Sequence, residues 1–173
     1  MIRMPPAKPA RPQKPDPVAV IEMRLADLSA TIALGRRLAA RLQVGDTVLL
    51  TGDLGAGKTE LARAIIRARA GQAIDVPSPT FNLVIPYVLR DMTISHFDLY
   101  RLDGPDDIPE LGLDEALDEG AIIVEWPDRL GDLVPPDAIT LCLTLDAAGD
   151  TDSAVRQVAI SGPPEILERL LGT

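Results

Sequence analysis

Thr47-Val48-Leu49-Leu50-Thr51 runs straight into Gly52-Asp53-Leu54-Gly55-Ala56-Gly57-Lys58-Thr59, and Glu60 to Ala70 follows, closed by Gly71. The first five residues read as a short apolar strand. Leu61, Ala62, Ile65, Ile66 and Ala70 then recur at helical spacing and predict the buried face of a helix, which Gly71 terminates. The stretch between them satisfies G-x-x-x-x-G-K-[ST] in full, in the strand–loop–helix context that gives the motif its meaning. Gly52, Gly55 and Gly57 admit backbone angles that a side chain forbids. With Asp53, Leu54 and Ala56 they form a loop whose successive N–H groups can turn inward as an anion nest. The positive N-terminal end of the helix lies beside it. In such a loop Lys58 places a point charge on the β and γ phosphates of ATP or ADP, and the Thr59 hydroxyl can ligate Mg²⁺. Lys58 is also the only lysine in residues 18–173, where every other fixed cation is arginine. A slender ammonium enters a backbone nest that a planar guanidinium does not fit.

Upstream, Val18-Ala19-Val20-Ile21 reads as a strand. Asp27 is an N-cap candidate for a helix that buries Leu28, Ile32, Gly35, Leu38, Ala39 and Leu42. Residues 1–17 hold six prolines and little apolar content, so they are expected to form a disordered basic tail ahead of one domain over 18–173. Downstream, Phe81 to Leu89 is extended but interrupted by Pro86, which predicts an edge strand. Thr93 to Leu99 and Ala121 to Glu125 are further strands. The acidic residues 104–119 leave room for one or two short helices around Ile108 and Leu113. Ile139 to Leu145 and Ala154 to Ile160 alternate as a hairpin at the sheet edge. Pro163-Pro164 can open a last helix carrying Ile166, Leu167, Leu170 and Leu171. Strands alternating with helices predict an α/β P-loop NTPase fold, a central mostly parallel sheet flanked by helices with antiparallel edge strands.

The composition narrows the function classes. The chain has 173 residues, enough for one sizeable core, and with aromatics at only 3% that core must be built from Leu, Ile, Val and Ala. No apolar run is long enough to span a bilayer, no signal-peptide pattern opens the chain, and Cys142 is the lone cysteine, read as a small buried hydrophobe. A cytoplasmic setting is expected. Net charge is −9, but residues 1–17 carry +3, so −12 falls on residues 18–173. Such a body repels a phosphate backbone, and tight direct binding of nucleic acid is not expected.

Hydrolysis also needs a carboxylate near the metal. Ligands of parallel sheets sit beyond the carboxyl ends of the strands. Asp98 closes Thr93-Ile94-Ser95-His96-Phe97, and Glu125 closes Ala121-Ile122-Ile123-Val124. Either can serve the metal or orient the attacking water. His96, the only histidine, falls on the same strand face as Asp98 and one step deeper, which suits a core histidine bonded to a neighbour. Trp126, the only tryptophan, either shields this region or simply packs. Ser78-Pro79-Thr80 lies where a switch loop would place a Thr hydroxyl to sense the γ-phosphate, and a plain turn reads equally well.

Together these blocks resemble the bacterial TsaE (YjeE) ATPases of tRNA threonylcarbamoyladenosine biosynthesis. The carrying residues are Gly52 to Thr59, Ser78-Pro79-Thr80-Phe81, His96-Phe97-Asp98-Leu99-Tyr100-Arg101 and Glu125-Trp126, with Thr31 and Gly35 fitting the family's T-x-x-x-G helix. The resemblance implies a Mg-dependent ATPase that works with the TsaD and TsaB proteins to support modification of the adenosine next to the anticodon. It implies catalytic roles for Lys58, Asp98 and Glu125, metal contacts from Thr59, Asp98 and Glu125, and nucleotide contacts from the loop, Thr31, Thr80 and, more weakly, Arg156. Two features depart from the family pattern. Glu60 stands where a second Thr is usual, adding a negative charge that weakens ATP binding if it points inward. The proline-rich tail is the other.

Two other classes share the loop. A small-molecule P-loop kinase needs a cationic lid, and Arg90, Arg101 and Arg129 are too scattered in sequence to suggest one. A guanine-specific switch resembles its class in an N-K-x-D motif, whereas the only asparagine, Asn82, is followed by Leu83.

Overall fold

Alternate residues of the strand β2 (Thr47–Thr51) enter two different cores. Val48 and Leu50 join one apolar cluster and Leu49 joins the other, as the period of a strand requires. All three are buried because both faces of the sheet are covered, the usual condition of a central parallel strand. The computed structural model describes residues 19–145 and 155–172. The expected tail over 1–17, with Val18 and Ala154, lies outside them.

The remaining elements are β1 (Ala19–Leu25), α1 (Leu28–Ala39), α2 (Lys58–Ala70), β3 (Val84–Val88), β4 (Thr93–Asp98), α3 (Leu113–Glu119), β5 (Gly120–Glu125), β6 (Ile139–Leu145), β7 (Arg156–Gly162) and α4 (Pro164–Leu171). The strands form one sheet in the order β1-β7-β6-β2-β5-β4-β3. β6, β2, β5 and β4 run parallel, β7 pairs antiparallel with both β6 and β1, and β3 pairs antiparallel with β4. This is the α/β P-loop architecture, with a parallel centre and antiparallel margins.

One core cluster joins Leu34 and Leu38 of α1, Leu61 and Ile65 of α2, and Leu167 and Leu170 of α4 to Val48 and Leu50. The opposite face packs Ile108, Leu113 of α3 and Leu130 on Leu49, Phe97, Ile122 and Val124. Asp27 caps α1 as expected, its Oδ1 accepting the Ala30 N–H at 2.9 Å and so satisfying one of the helix's free first-turn donors. Gly35 lets α1 approach α2 closely, because a Cβ there would lie 2.6 Å from Ala64 Cβ.

Several expectations are corrected. The buried face of α1 is Thr31, Leu34, Gly35, Leu38 and Ala39, whereas Leu28 is exposed and Ile32 is half-buried. Leu28 and Ile32 line an open groove against Glu60, Arg63 and Ala64 of α2, and Leu42 is buried beyond the helix end. Ala70 is half-buried. The first strand runs on to Leu25, lengthened by its pairing with β7. That pairing also means that the β6–β7 hairpin is not the edge, since β1 covers β7. Cys142 is half-buried rather than fully enclosed. Strand β3 begins only at Val84, and Phe81 is exposed in the turn before it, but the edge position that Pro86 predicts is observed.

Candidate functional site

The loop between β2 and α2 is shaped by its glycines. Gly52 has φ +128° and Gly57 has φ +103°. A Cβ on Gly52 would lie 2.1 Å from the Leu143 carbonyl oxygen, and one on Gly57 would lie 2.7 Å from Arg156 Nε. Ala56 N–H donates to the Asp53 carbonyl at 3.1 Å, closing the turn. Lys58, the first residue of α2, folds its side chain back over this turn. Its ammonium donates to the carbonyls of Gly52 (2.6 Å) and Asp53 (2.9 Å) and lies 3.9 Å from the centre of the Trp126 ring. Burial pushes this ammonium below its ordinary range, while the negative charges of Glu125, Asp98 and Asp53 oppose the shift.

The two acids expected at strand ends are neighbours. β4 and β5 are parallel and in register, so Asp98 stands opposite Glu125, and Leu50 of β2 stands on the other side of Glu125. Both carboxylates are buried. Glu125 Oε2 accepts the Thr59 hydroxyl at 2.9 Å, and its Oε1 meets His96 Nε2 at 2.9 Å. Asp98 Oδ2 accepts the hydroxyls of Thr80 (2.7 Å) and Ser78 (3.3 Å), and Oδ1 accepts the Tyr100 N–H at 3.1 Å. The Ser78-Pro79-Thr80 loop is therefore tied to the strand-end acid. Leu83, in a left-handed conformation, receives the Asp98 N–H on its carbonyl at 2.9 Å.

These groups line a cleft of about 380 Å³ walled by the loop from Leu54 to Glu60, by Ser78 and Thr80, by Asp98 and Tyr100, by Glu125 and Trp126, and by Arg156. Arg156 reaches across from β7, and its Nε donates to the Ala56 carbonyl at 2.7 Å. Thr31 does not line this cleft. It is buried in the first turn of α1, with its hydroxyl 3.5 Å from the Asp27 carbonyl. Glu60 lines the mouth, and its carboxylate pairs with Arg63 one turn along α2. Its charge is thus directed along the helix surface, and Arg63 is itself held by the Val76 carbonyl. Arg101 stacks over the exposed Phe81 ring at 4.3 Å.

Sequence reasoning missed the ring pair of Tyr100 and Trp126, whose centroids are 4.9 Å apart. It also left the partner of His96 unnamed. The alternation rule put His96 on the correct face, but only the register of two strands far apart in sequence brings it to Glu125.

The donor set fits a small hard cation. Among the described residues no group of three or more His, Cys, Asp or Glu could hold a metal ion. A cation here would rely on the Thr59 hydroxyl, the two carboxylates and oxygens of its ligand, hard oxygen donors of the kind Mg²⁺ takes.

Comparison with known proteins points to one family. The family described as threonylcarbamoyl adenosine biosynthesis protein TsaE matches residues 25–156. The chain is similar to a tRNA threonylcarbamoyladenosine biosynthesis protein TsaE of Rickettsia felis, 45% identical over 113 residues that cover 65% of this chain and 66% of that protein. The match thus spans slightly less than two thirds of that relative's length. A protein of the same description from Streptomyces coelicolor is 40% identical over 132 residues, covering 75% of this chain and 88% of its own. The crystal structure of Bacillus subtilus YdiB superposes with a TM-score of 0.71 at 26% identity, covering 90% of this chain and 93% of that one.

Proposed function

This chain belongs to the TsaE family, and on that premise we propose that it is a Mg-dependent ATPase supporting threonylcarbamoyladenosine modification of tRNA, as partner of the TsaD and TsaB proteins. The observation that carries the hydrolytic reading is the contact of Glu125 with Thr59. It joins the acid at the end of β5 to the hydroxyl that follows the loop lysine.

In this reading the backbone N–H groups of residues 53–59 and the Lys58 ammonium bind the phosphates. Lys58 exchanges its carbonyl partners Gly52 and Asp53 for phosphate oxygens, and the face of Trp126 keeps water from it. Thr59, Asp98 and Glu125 hold Mg²⁺, which when bound neutralises charge on the phosphates. Asp98, fixed by Thr80, Ser78 and the Tyr100 N–H, is the acid better placed to feel the terminal phosphate through the 78–80 loop. Arg156 braces the loop from β7. Thr31 contacts the nucleotide only if α1 shifts or its hydroxyl turns from Asp27.

The test is the ATPase rate of the chain alone and with TsaD and TsaB added. Stimulation and co-purification are expected. Hydrolysis that the two proteins leave unchanged, with no complex formed, would reduce the assignment to a stand-alone ATPase. No hydrolysis under any of these conditions would remove it.

A further inference from the structure

His96 is fully buried, and its ring contacts Glu125 Oε1 through Nε2. We propose that His96 is a positioning residue: it orients the Glu125 carboxylate so that Oε2 faces the Thr59 hydroxyl and the cation. The inference rests on the ATPase reading for its kinetic arm and on the geometry alone for its metal-binding arm.

Glu125 is held from two sides. His96 donates to one oxygen and Thr59 to the other, both at 2.9 Å. A buried carboxylate oxygen without a donor is costly, so each contact fixes the side chain's rotation. An ionised carboxylate only accepts hydrogen bonds. The ring proton must therefore sit on Nε2. The other nitrogen, Nδ1, is buried without a partner, so a proton there would find no acceptor. The tautomer is thereby specified by hydrogen-bond accounting. Ligating carboxylates are commonly oriented in this way by a donor behind them.

Removing the donor frees Oε1. The Lys58 ammonium is an alternative attraction: after burial, the Glu125 charge is the largest influence on it. A carboxylate that turns toward Lys58 both abandons Thr59 and competes with phosphate for the ammonium. His96 thus acts by keeping an acid and a base of one site apart.

The experiment compares His96→Met, which fills the space without a donor, with His96→Gln, whose amide N–H can take the place of Nε2–H. The first measurement is ADP affinity by calorimetry with and without Mg²⁺. The Met variant is expected to lose about 10- to 100-fold of the Mg²⁺-dependent gain in affinity, and the Gln variant to recover most of it. The second measurement is kcat and KM for ATP. The Met variant lowers kcat/KM for MgATP by at least a similar factor, with KM rising in step with the lost Mg²⁺-dependent affinity, and Gln restores both. Should His96→Met not fold, His96→Asn replaces it, because its amide is one carbon too short to reach Glu125. Wild-type Mg²⁺ response in the Met or Asn variant overturns the proposal, as does a Gln variant no better than Met. A wild-type chain that hydrolyses no ATP refutes the ATPase reading, and the Mg²⁺ titration then decides the role of His96 by itself.

Discussion

Asp98 and Glu125 stand side by side on parallel strands, in register, each at the last residue of its strand. They differ in what holds them. Asp98 is tied to a loop through Thr80 and Ser78, Glu125 to the core through His96 and to the phosphate loop through Thr59. Loss of either acid should therefore spare the phosphate cradle. Asp98→Ala and Glu125→Ala are each expected to lower kcat by about 10²-fold or more, while ADP affinity without Mg²⁺ stays within about threefold. Single-turnover rates and calorimetry separate the two quantities. Parallel losses of binding and rate would show that the acids shape the loop instead.

Lys58 gives a pH signature. Burial holds its folded pKa below the ordinary 10.5, so in the free protein the ammonium is lost at a lower pH than in an unfolded chain. Between those two values the unfolded state binds more protons, and this group's contribution to stability rises with pH. Phosphate binding has the opposite dependence. A polyphosphate favours the ammonium, so binding takes up a proton in that window and affinity falls as pH rises through it. Calorimetry of ATP binding in buffers of different ionisation enthalpy reads the uptake. Lys58→Ala should abolish both the uptake and hydrolysis, and unchanged hydrolysis in that variant would sink the whole site.

Arg156 touches the loop from strand β7, through Ala56 and against Gly57. Arg156→Ala is expected to weaken ATP binding about tenfold, because the charge-assisted bond to the Ala56 carbonyl preorganises the loop. The same variant should keep its melting behaviour within about 1 kcal/mol, because the side chain is only half-buried. Equilibrium binding and urea melts check the two halves. Wild-type affinity would leave Arg156 with a purely structural contact.

Gly35 and Ala64 set the distance between α1 and α2. Gly35→Val forces these helices apart and is expected to cost about 1–3 kcal/mol, the usual range for overpacking. Chemical denaturation measures it. A neutral result would mean that α1 slides freely on its neighbour.

Much of the site was legible because its parts are local. Gly52 to Thr59 is contiguous, and the glycines at 52, 55 and 57 follow from the positive φ the loop requires. Asp98 and Glu125 could be singled out from strand ends alone. What the sequence could not supply was the order of strands, since β4 and β5 neighbour each other only through a crossover that includes α3. Hence the partner of His96 and the Tyr100–Trp126 pair were out of reach. The placement of Leu28 was misread for a related reason. Helical periodicity shows which residues share a face, but not how closely the neighbouring helix packs on it, and Leu28 and Ile32 face an open groove beside α2. The direction of Glu60 was settled by Arg63, a pairing three residues apart that the pattern allowed without requiring.

Among the described residues the only non-glycine residues with positive φ are Leu83 and Trp126. Each holds one of the two acids, Leu83 through the Asp98 N–H and Trp126 as the residue that follows Glu125. A left-handed backbone costs a side-chain-bearing residue about 1–2 kcal/mol. A sequence tuned for durability alone would put glycine at both places. Replacing Trp126 by glycine relaxes the backbone, yet it strips the ring from Lys58. The fold therefore carries a trade-off at these two positions, and thermostabilised versions of this protein obtained by screening for heat tolerance alone should tend to relax them and lose turnover.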